Sequence, residues 1–206
     1  MLVLDDFISD DYLLGRINSA TTPSDKQFWC EDFPLYSGWE KTGVSCLVHE
    51  FIKYVFTDER LSGLNESVKY YEFWTNSTHS DTNFTAFSRS WAHTPHFDKD
   101  ENLLKYKNEY AFPKAGIVFY GDESINSTEG GLFYYWPESN IHDTDLESKT
   151  IPEPYKTIEP KFNRLILLDS SKLHGVGKIT LGKRRSIAVN LWEVEPYDEE
   201  SFLEED

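Results

Sequence analysis

From about Val68 onward the chain is a succession of short runs dense in β-branched and aromatic residues. They are VKYYEFW (68–74), NFTAFSRS (83–90), PHFD (95–98), AGIVFYG (115–121), GGLFYYW (130–136), YKTIEP (155–160), RLILLD (164–169), HGVG (174–177) and SIAVNLW (186–192). Each has the length of one strand and is bounded by turn-forming residues. No helical period separates one run from the next, which argues against alternating βαβ units and for an antiparallel sandwich or barrel. The fold class expected is mainly β with supporting N-terminal helices.

The support precedes the strands. Leu2 to Ile8 reads as a short strand, and Ser9 as the N-cap of a helix reaching about Asn18. Residues 21–41 are rich in Pro, Ser, Asp and aromatics without a period and read as loop. Val44 to Phe56 places Leu47, Phe51, Ile52, Val55 and Phe56 at helical spacing, predicting an amphipathic helix that packs on a sheet. A length of 206 residues suits one domain. Within 1–206 we expect helical support and loops over 1–67, the β core over 68–195 and an acidic tail over 196–206, its end DEESFLEED solvated.

Composition narrows the partners. The formal charge is −16, which repels phosphate backbones and makes nucleic acid a poor partner. The same surface attracts cationic ligands, or serves only to keep the protein in solution. Aromatic residues make up 16% of the chain, which fits a thick core with an aromatic-lined cavity. Cys30 and Cys46 form no disulfide framework and read as reduced thiols, which points to the cytoplasm. The opening MLVLDDFIS is too polar and short for a signal peptide, and no apolar run reaches membrane-spanning length. The N-x-[ST] sequons at Asn65, Asn76, Asn83 and Asn126 are therefore read as chance.

His96-Phe97-Asp98 is the first motif with chemistry in it. Alternate residues of a strand share a face, so His96 and Asp98 can point together while Phe97 packs behind them. An imidazole beside a carboxylate makes two corners of a divalent-metal site, although an HxD triplet arises by chance easily in an acidic chain with 6 His. His174 is the candidate for the third corner, just after RLILLD and beside Gly175, which permits close backbone approach. Taken alone it reads better as a hydrogen-bonded loop histidine. Two His and one carboxylate leave open coordination positions, as in non-haem Fe(II) oxygenases. His93 has the wrong strand parity to join His96 as a ligand; it reads as a surface loop residue, the alternative being a role behind the ligands or on the substrate side.

The Lys183-Arg184-Arg185-Ser186 run opens the last strand. Arg184, Ser186, Ala188 and Asn190 share one strand face, small and polar, which suits a ligand pocket. Arg185, Ile187, Val189 and Leu191 share the other, with the Arg185 head expected to reach water. Burying an arginine without an anion would cost on the order of 3–5 kcal/mol, so a pocket Arg184 implies an acidic co-substrate.

With these residues in place the chain resembles the 2-oxoglutarate and Fe(II) dioxygenases, closest to the prolyl-hydroxylase-like branch. The resemblance rests on HFD, GIVFYGD, EGGLFYYW and RLILLDSSKLHGVGKITLGKRRS, in the family's order over about Phe84 to Trp192, and on the entry segment VLDDFISDDYL. It implies a double-stranded β-helix, the jelly roll of cupin-like folds. It implies Fe(II) held by His96, Asp98 and His174, and 2-oxoglutarate whose 5-carboxylate meets Arg184, with Ser186 and Tyr120 as further contacts. Gly130-Gly131 resembles the family's turn into a strand lining the pocket. The activity implied is O2-dependent hydroxylation of a peptide or protein side chain or of a small molecule, with release of succinate and CO2 and with ascorbate supportive in vitro. One departure is the stretch FTAFSRS, which lacks a tyrosine common there in related hydroxylases; Ser88 or Arg89 are its possible substitutes.

The reading from a different class is a non-catalytic cupin-like metal or ligand-binding module. It would keep three ligands but have no use for a buried Arg184. A nucleic-acid demethylase of the same chemistry is disfavoured by the charge of −16. Substrate choice is expected in the loops at 21–41, 79–93, 100–113 and 137–154.

Overall fold

In the computed structural model, residues 1–20, 36–37, 47–80, 91–144 and 155–197 are described. The expected strand at 83–90, Ser88, Arg89, Cys30, Cys46 and the end of the acidic tail lie outside them. The elements run β1 (Leu2–Leu4), α1 (Asp11–Ala20), β2 (Tyr36–Ser37), α2 (Leu47–Thr57), α3 (Leu64–Ser67), β3 (Tyr70–His79), β4 (Trp91–His96), α4 (Glu101–Lys107) and β5 (Ala115–Tyr120). They continue with β6 (Glu129–Gly130), β7 (Phe133–Tyr135), β8 (Lys156–Ile158), β9 (Arg164–Leu168), β10 (His174–Gly177), β11 (Ile179–Leu181) and β12 (Lys183–Trp192).

Pairing is antiparallel throughout the described strands. One sheet has the order β1-β9-β5-β12-β3-β2, the second β4-β10-β7-β8, and β11 pairs with β6. Val118, Tyr120, Ile166 and Leu168 of the larger sheet pack with Phe133, Tyr135, Ile158 and Val176 of the smaller one. That contact is the interior of the jelly roll. The other face of the larger sheet carries Ile117, Phe119, Ile187, Val189 and Leu191, and α1 and α2 cover it with Leu13, Ile17, Val48, Phe51, Ile52 and Val55. Phe119 stacks on Phe51 at 4.8 Å and meets Phe7 edge-on at 6.2 Å. Every residue of β5 is buried because one alternate set faces the helices and the other faces the second sheet.

Where elements differ from expectation, side-chain chemistry explains the difference. The strand expected over Leu2 to Ile8 stops at Leu4, because Asp6 turns left-handed at φ 48. Asp5 is held there by Arg164, with Nε at 2.5 Å. The N-terminal cap of α1 is Asp10, whose carboxylate accepts from Tyr12 and Leu13 N–H; Ser9 instead meets the Tyr54 hydroxyl at 3.0 Å. Within the presumed loop 100–113 lies α4, capped by the Asp100 carboxylate on Leu103 N–H and ended by Asn108 at φ 56. Among the described residues no helix is long and apolar enough to cross a membrane.

Asn163 joins the support to the β core. It sits at φ 57, donates Nδ2–H to the Ile8 carbonyl at 3.0 Å and accepts from Ile8 N–H at 2.9 Å. The Asn163 side chain is buried, so Asn163→Ala would orphan both Ile8 groups and place alanine in a left-handed conformation. A loss of about 3 kcal/mol is expected, read as a lower urea midpoint with an unchanged slope.

Candidate metal and co-substrate site

β4 and β10 lie side by side, and their register places His174 opposite His96. Asp98 follows β4 in the next turn, held by its N–H donating to the Ser170 carbonyl at 3.2 Å. Phe97 is buried against Trp136 and Leu173, behind the pair as expected. The Nε2 atom of His96 lies 3.6 Å from Asp98 Oδ1, and that of His174 lies 3.4 Å from Oδ2. One ligand-type atom from each of the three residues falls within 4.8 Å of the others. Sequence reasoning therefore named three residues that the fold brings together.

The outer contacts of the two imidazoles decide which nitrogen faces the centre. His96 Nδ1 donates to the Thr94 carbonyl at 2.8 Å and His174 Nδ1 to the Lys172 carbonyl at 2.9 Å. Each ring then presents an Nε2 lone pair toward the carboxylate, the orientation that metal-bound histidines take. Burial opposes charge on His174, yet the Asp98 carboxylate raises its pKa. Burial likewise pushes Asp98 upward, and His174, His96 and Ser170 outweigh it and leave its pKa lowered. His96, on the rim, has a lowered pKa through burial and the adjacent His174. The cluster draws in positive charge, and its donor set of two imidazoles and one carboxylate fits a divalent ion of the Fe(II) kind.

A narrow cavity of about 80 Å³ runs inward from the three residues to Arg184. Arg184 is 1% exposed. It donates from Nη2 to the Tyr120 hydroxyl at 3.0 Å and from Nη1 to Ser186 Oγ at 3.3 Å, while its Nε has no partner among the described residues. The guanidinium also lies over the Tyr120 ring at 5.0 Å. Room for its stem comes from Gly131 at φ 68, where a Cβ would stand 3.2 Å from Arg184 Cδ. Arg184, Ser186, Ala188 and Asn190 all line the cavity, so the strand register expected from alternation holds. A buried guanidinium lining such a cavity, with its Nε–H unpaired among the described residues, fits a carboxylate ligand.

Two expectations are corrected. Arg185 does not reach water: it is 3% exposed, with Nε 3.7 Å from Asp122 Oδ2. The 3₁₀ turn Glu123–Ser127, capped by Asp122, folds over the start of β12 and covers it. His93 is not a surface residue, since it lines the same cavity as the triad. Its parity was misjudged because β4 carries a bulge: His96 pairs with His174 but His93 pairs with Val176, so three steps on β4 match two on β10. Burial first, then Arg184 and His96, lowers the His93 pKa to about 4, so the ring is neutral at pH 7 and within 3.4 Å of Thr78 Oγ1.

The bulge also relies on Gly175, whose Cβ would sit 3.0 Å from Pro95 Cα. Residues unmarked by sequence reasoning but lining the chamber include Glu72, Trp74 and Asn76. Alternation along VKYYEFW puts Glu72 and Trp74 on one face, but which face was undecidable without the β12 pairing.

An antiparallel jelly roll with two His and one Asp beside a buried arginine defines the class of non-haem metal oxygenases. Residues 78–192, more than half of the chain, match the family described as the 2OG-Fe(II) oxygenase superfamily, and the chain belongs to that superfamily of 2-oxoglutarate-dependent dioxygenases. No curated protein matches it by sequence. Among solved structures it is similar to a prolyl-4-hydroxylase of Pseudomonas putida, with 11% identity, TM-score 0.53, 94% of this chain and 88% of that one covered. It is also similar to the viral collagen prolyl hydroxylase of Paramecium Bursaria Chlorella virus-1, at 16% identity and TM-score 0.48, covering 94% and 96%. A third is an oxidoreductase of the 2OG-Fe(II) oxygenase family from Burkholderia pseudomallei, at 13% identity and TM-score 0.42, covering 72% of this chain. This chain spans 57% of that protein's length.

Proposed function

We propose that the chain, acting as one domain over 1–206, is a hydroxylase of a peptide or protein side chain or of a small molecule. In the balanced reaction, substrate R–H, O2 and 2-oxoglutarate give R–OH, succinate and CO2. The observation that carries this reading is Arg184, a fully buried cation with an unused N–H in the cavity that the triad also lines. A metal-binding module of the cupin type would gain nothing from that arrangement, which costs several kcal/mol on the order of 3–5 unless an anion answers it.

His96, Asp98 and His174 would hold Fe(II), which supplies the activation of O2 coupled to decarboxylation of 2-oxoglutarate. Thr94 and Lys172 carbonyls fix the two imidazoles by their Nδ1–H groups. Arg184, with Tyr120 and Ser186 orienting its guanidinium, would bind the distal carboxylate of 2-oxoglutarate. The apolar walls Val118, Phe133, Leu168 and Val176 keep water from the slot between the two ends. His93, neutral and beside Thr78, is placed to accept or donate a hydrogen bond without adding charge. The reduced thiols read from Cys30 and Cys46 fit a cytoplasmic location.

The test is calorimetric titration of metal-loaded protein with 2-oxoglutarate, alongside succinate release with Fe(II), ascorbate and O2. Micromolar-range binding and slow succinate release without a primary substrate, accelerated by the right one, are expected. Absence of 2-oxoglutarate binding with metal present would transfer the assignment to the non-catalytic module.

A further inference from the structure

His96 and Asp98 line a second, wider cleft of about 530 Å³ that excludes Arg184 and Ser186. The long antiparallel pair β3 and β12 relates the two cavities. Thr78 faces Arg184, Asn76 faces Ser186, Trp74 faces Ala188 and Glu72 faces Asn190. From Thr78 to Glu72 the strand covers roughly 20 Å at about 3.3 Å per residue. The cationic arginine thus stands toward one end of this face and a carboxylate toward the other, with His96 and Asp98 common to both cavities.

The acidic residues of the wider cleft differ in how they are satisfied. Asp100 accepts Leu103 N–H at 2.8 Å on one oxygen and Tyr197 N–H at 2.6 Å on the other. Glu101 is ion-paired with Lys99 at 2.5 Å. Glu72 is part-buried and accepts the neutral Asn190 amide at 3.0 Å, with the neutral Trp192 indole also beside it and no cationic partner among the described residues. Burial first, with Asp98 and Asp100 nearby, raises its pKa, which a cation beside it would reverse. Trp74 and Trp192 also line the cleft, and Trp192 is 4% exposed with an indole N–H that closes no hydrogen bond, although it lies near enough to Glu72 to hold that pKa down. A part-buried carboxylate in a cleft that two indole side chains also line is a receptor for a positively charged group, through both charge and ring faces.

We infer that the cleft containing Glu72 is the subsite for a cationic group of the primary substrate, a protonated amine or a guanidinium. This rests on the hydroxylase reading above and names the substrate class for that site. The head group is bound by the Glu72 carboxylate and the walls of Trp74 and Trp192, and the rest of the substrate extends toward His96 and Asp98. The formal charge of −16 gathers such a substrate from a distance.

The experiment titrates protein loaded with Ni(II) and 2-oxoglutarate, in which no turnover occurs, with lysine, arginine and a short peptide containing both. Norleucine, citrulline and the corresponding neutral peptide serve as controls. Binding of the cationic probes at least about tenfold tighter than their neutral counterparts is expected. Binding of the free amino acids points to a small-molecule substrate, and of the peptide alone to a protein one; both support the subsite. In Glu72→Gln, which keeps an acceptor for Asn190, the cationic probes should weaken about tenfold and the neutral ones by less than about threefold. Equal weakening of both would make Glu72 structural and overturn the inference, as would neutral probes binding as well as cationic ones, or no cationic probe binding. Failure of 2-oxoglutarate itself to bind the wild-type protein would instead remove the hydroxylase reading, so the two failures are told apart.

Discussion

His96→Ala, Asp98→Ala and His174→Ala are each expected to abolish metal-dependent turnover, a fall of at least about a thousandfold in succinate release. With one of the three proposed ligands gone, the remaining two would not hold the ion in fixed geometry, and binding should weaken along with activity. Asp98 should matter most for affinity, because it supplies the negative charge and lies near both imidazoles. The fold should survive in all three. His96 is half-exposed on the rim and its loss removes little packing. His174→Ala is the most costly structurally, since its ring is buried and stacks on Phe133 at 5.9 Å. Metal titration by calorimetry and thermal melts, run with the activity assay, separate these effects. A variant that keeps wild-type turnover would remove that residue from the ligand set.

Arg184→Ala and Arg185→Ala are both expected to be damaging, but in different measurements. Removal of Arg184 takes away the charged, buried contact for a carboxylate, and 2-oxoglutarate affinity should fall by roughly 2–3 kcal/mol, about 30- to 150-fold. Arg184→Lys should recover only part of this, because an ammonium cannot reproduce the planar fork that Tyr120 and Ser186 orient. Arg185 is buried on the opposite face, near Asp122, which also lies 3.6 Å from Lys183 Nζ. Its removal should cost about 1–3 kcal/mol of folding stability by leaving Asp122 with a poorer counter-charge, and leave 2-oxoglutarate affinity within about threefold. Measuring Kd and urea midpoints on both variants decides the matter. A larger loss of affinity in Arg185→Ala would place the wrong face of β12 toward the pocket.

The contrast between these arginines shows how far one-dimensional reasoning carries. Period-two alternation set Arg184 with Ser186 and Asn190, because a strand offers side chains only two directions. It said nothing of what covers the other face. That was decided by the Asp122 turn, a segment about sixty residues earlier in the chain that folds over the start of β12. His93 failed for a related reason: alternation assumes an unbroken ladder, and the bulge between His93 and His96 breaks it.

Composition and strand-length runs by themselves determined that this chain is an antiparallel β protein with a helical support, since runs this short and turns this frequent leave few other architectures. The HxD triplet, the later His174 and the Arg-x-Ser spacing marked the residues of one site, because ligand chemistry restricts residue types and strand geometry restricts their spacing. Tertiary structure alone decided the depth of the site and its second cavity. Glu72 and Asn190 are far apart in sequence, and only the register of β3 on β12 makes them partners. Whether a carboxylate is a solvated surface charge or a desolvated receptor depends on what surrounds it in space, and no local pattern along the chain encodes that.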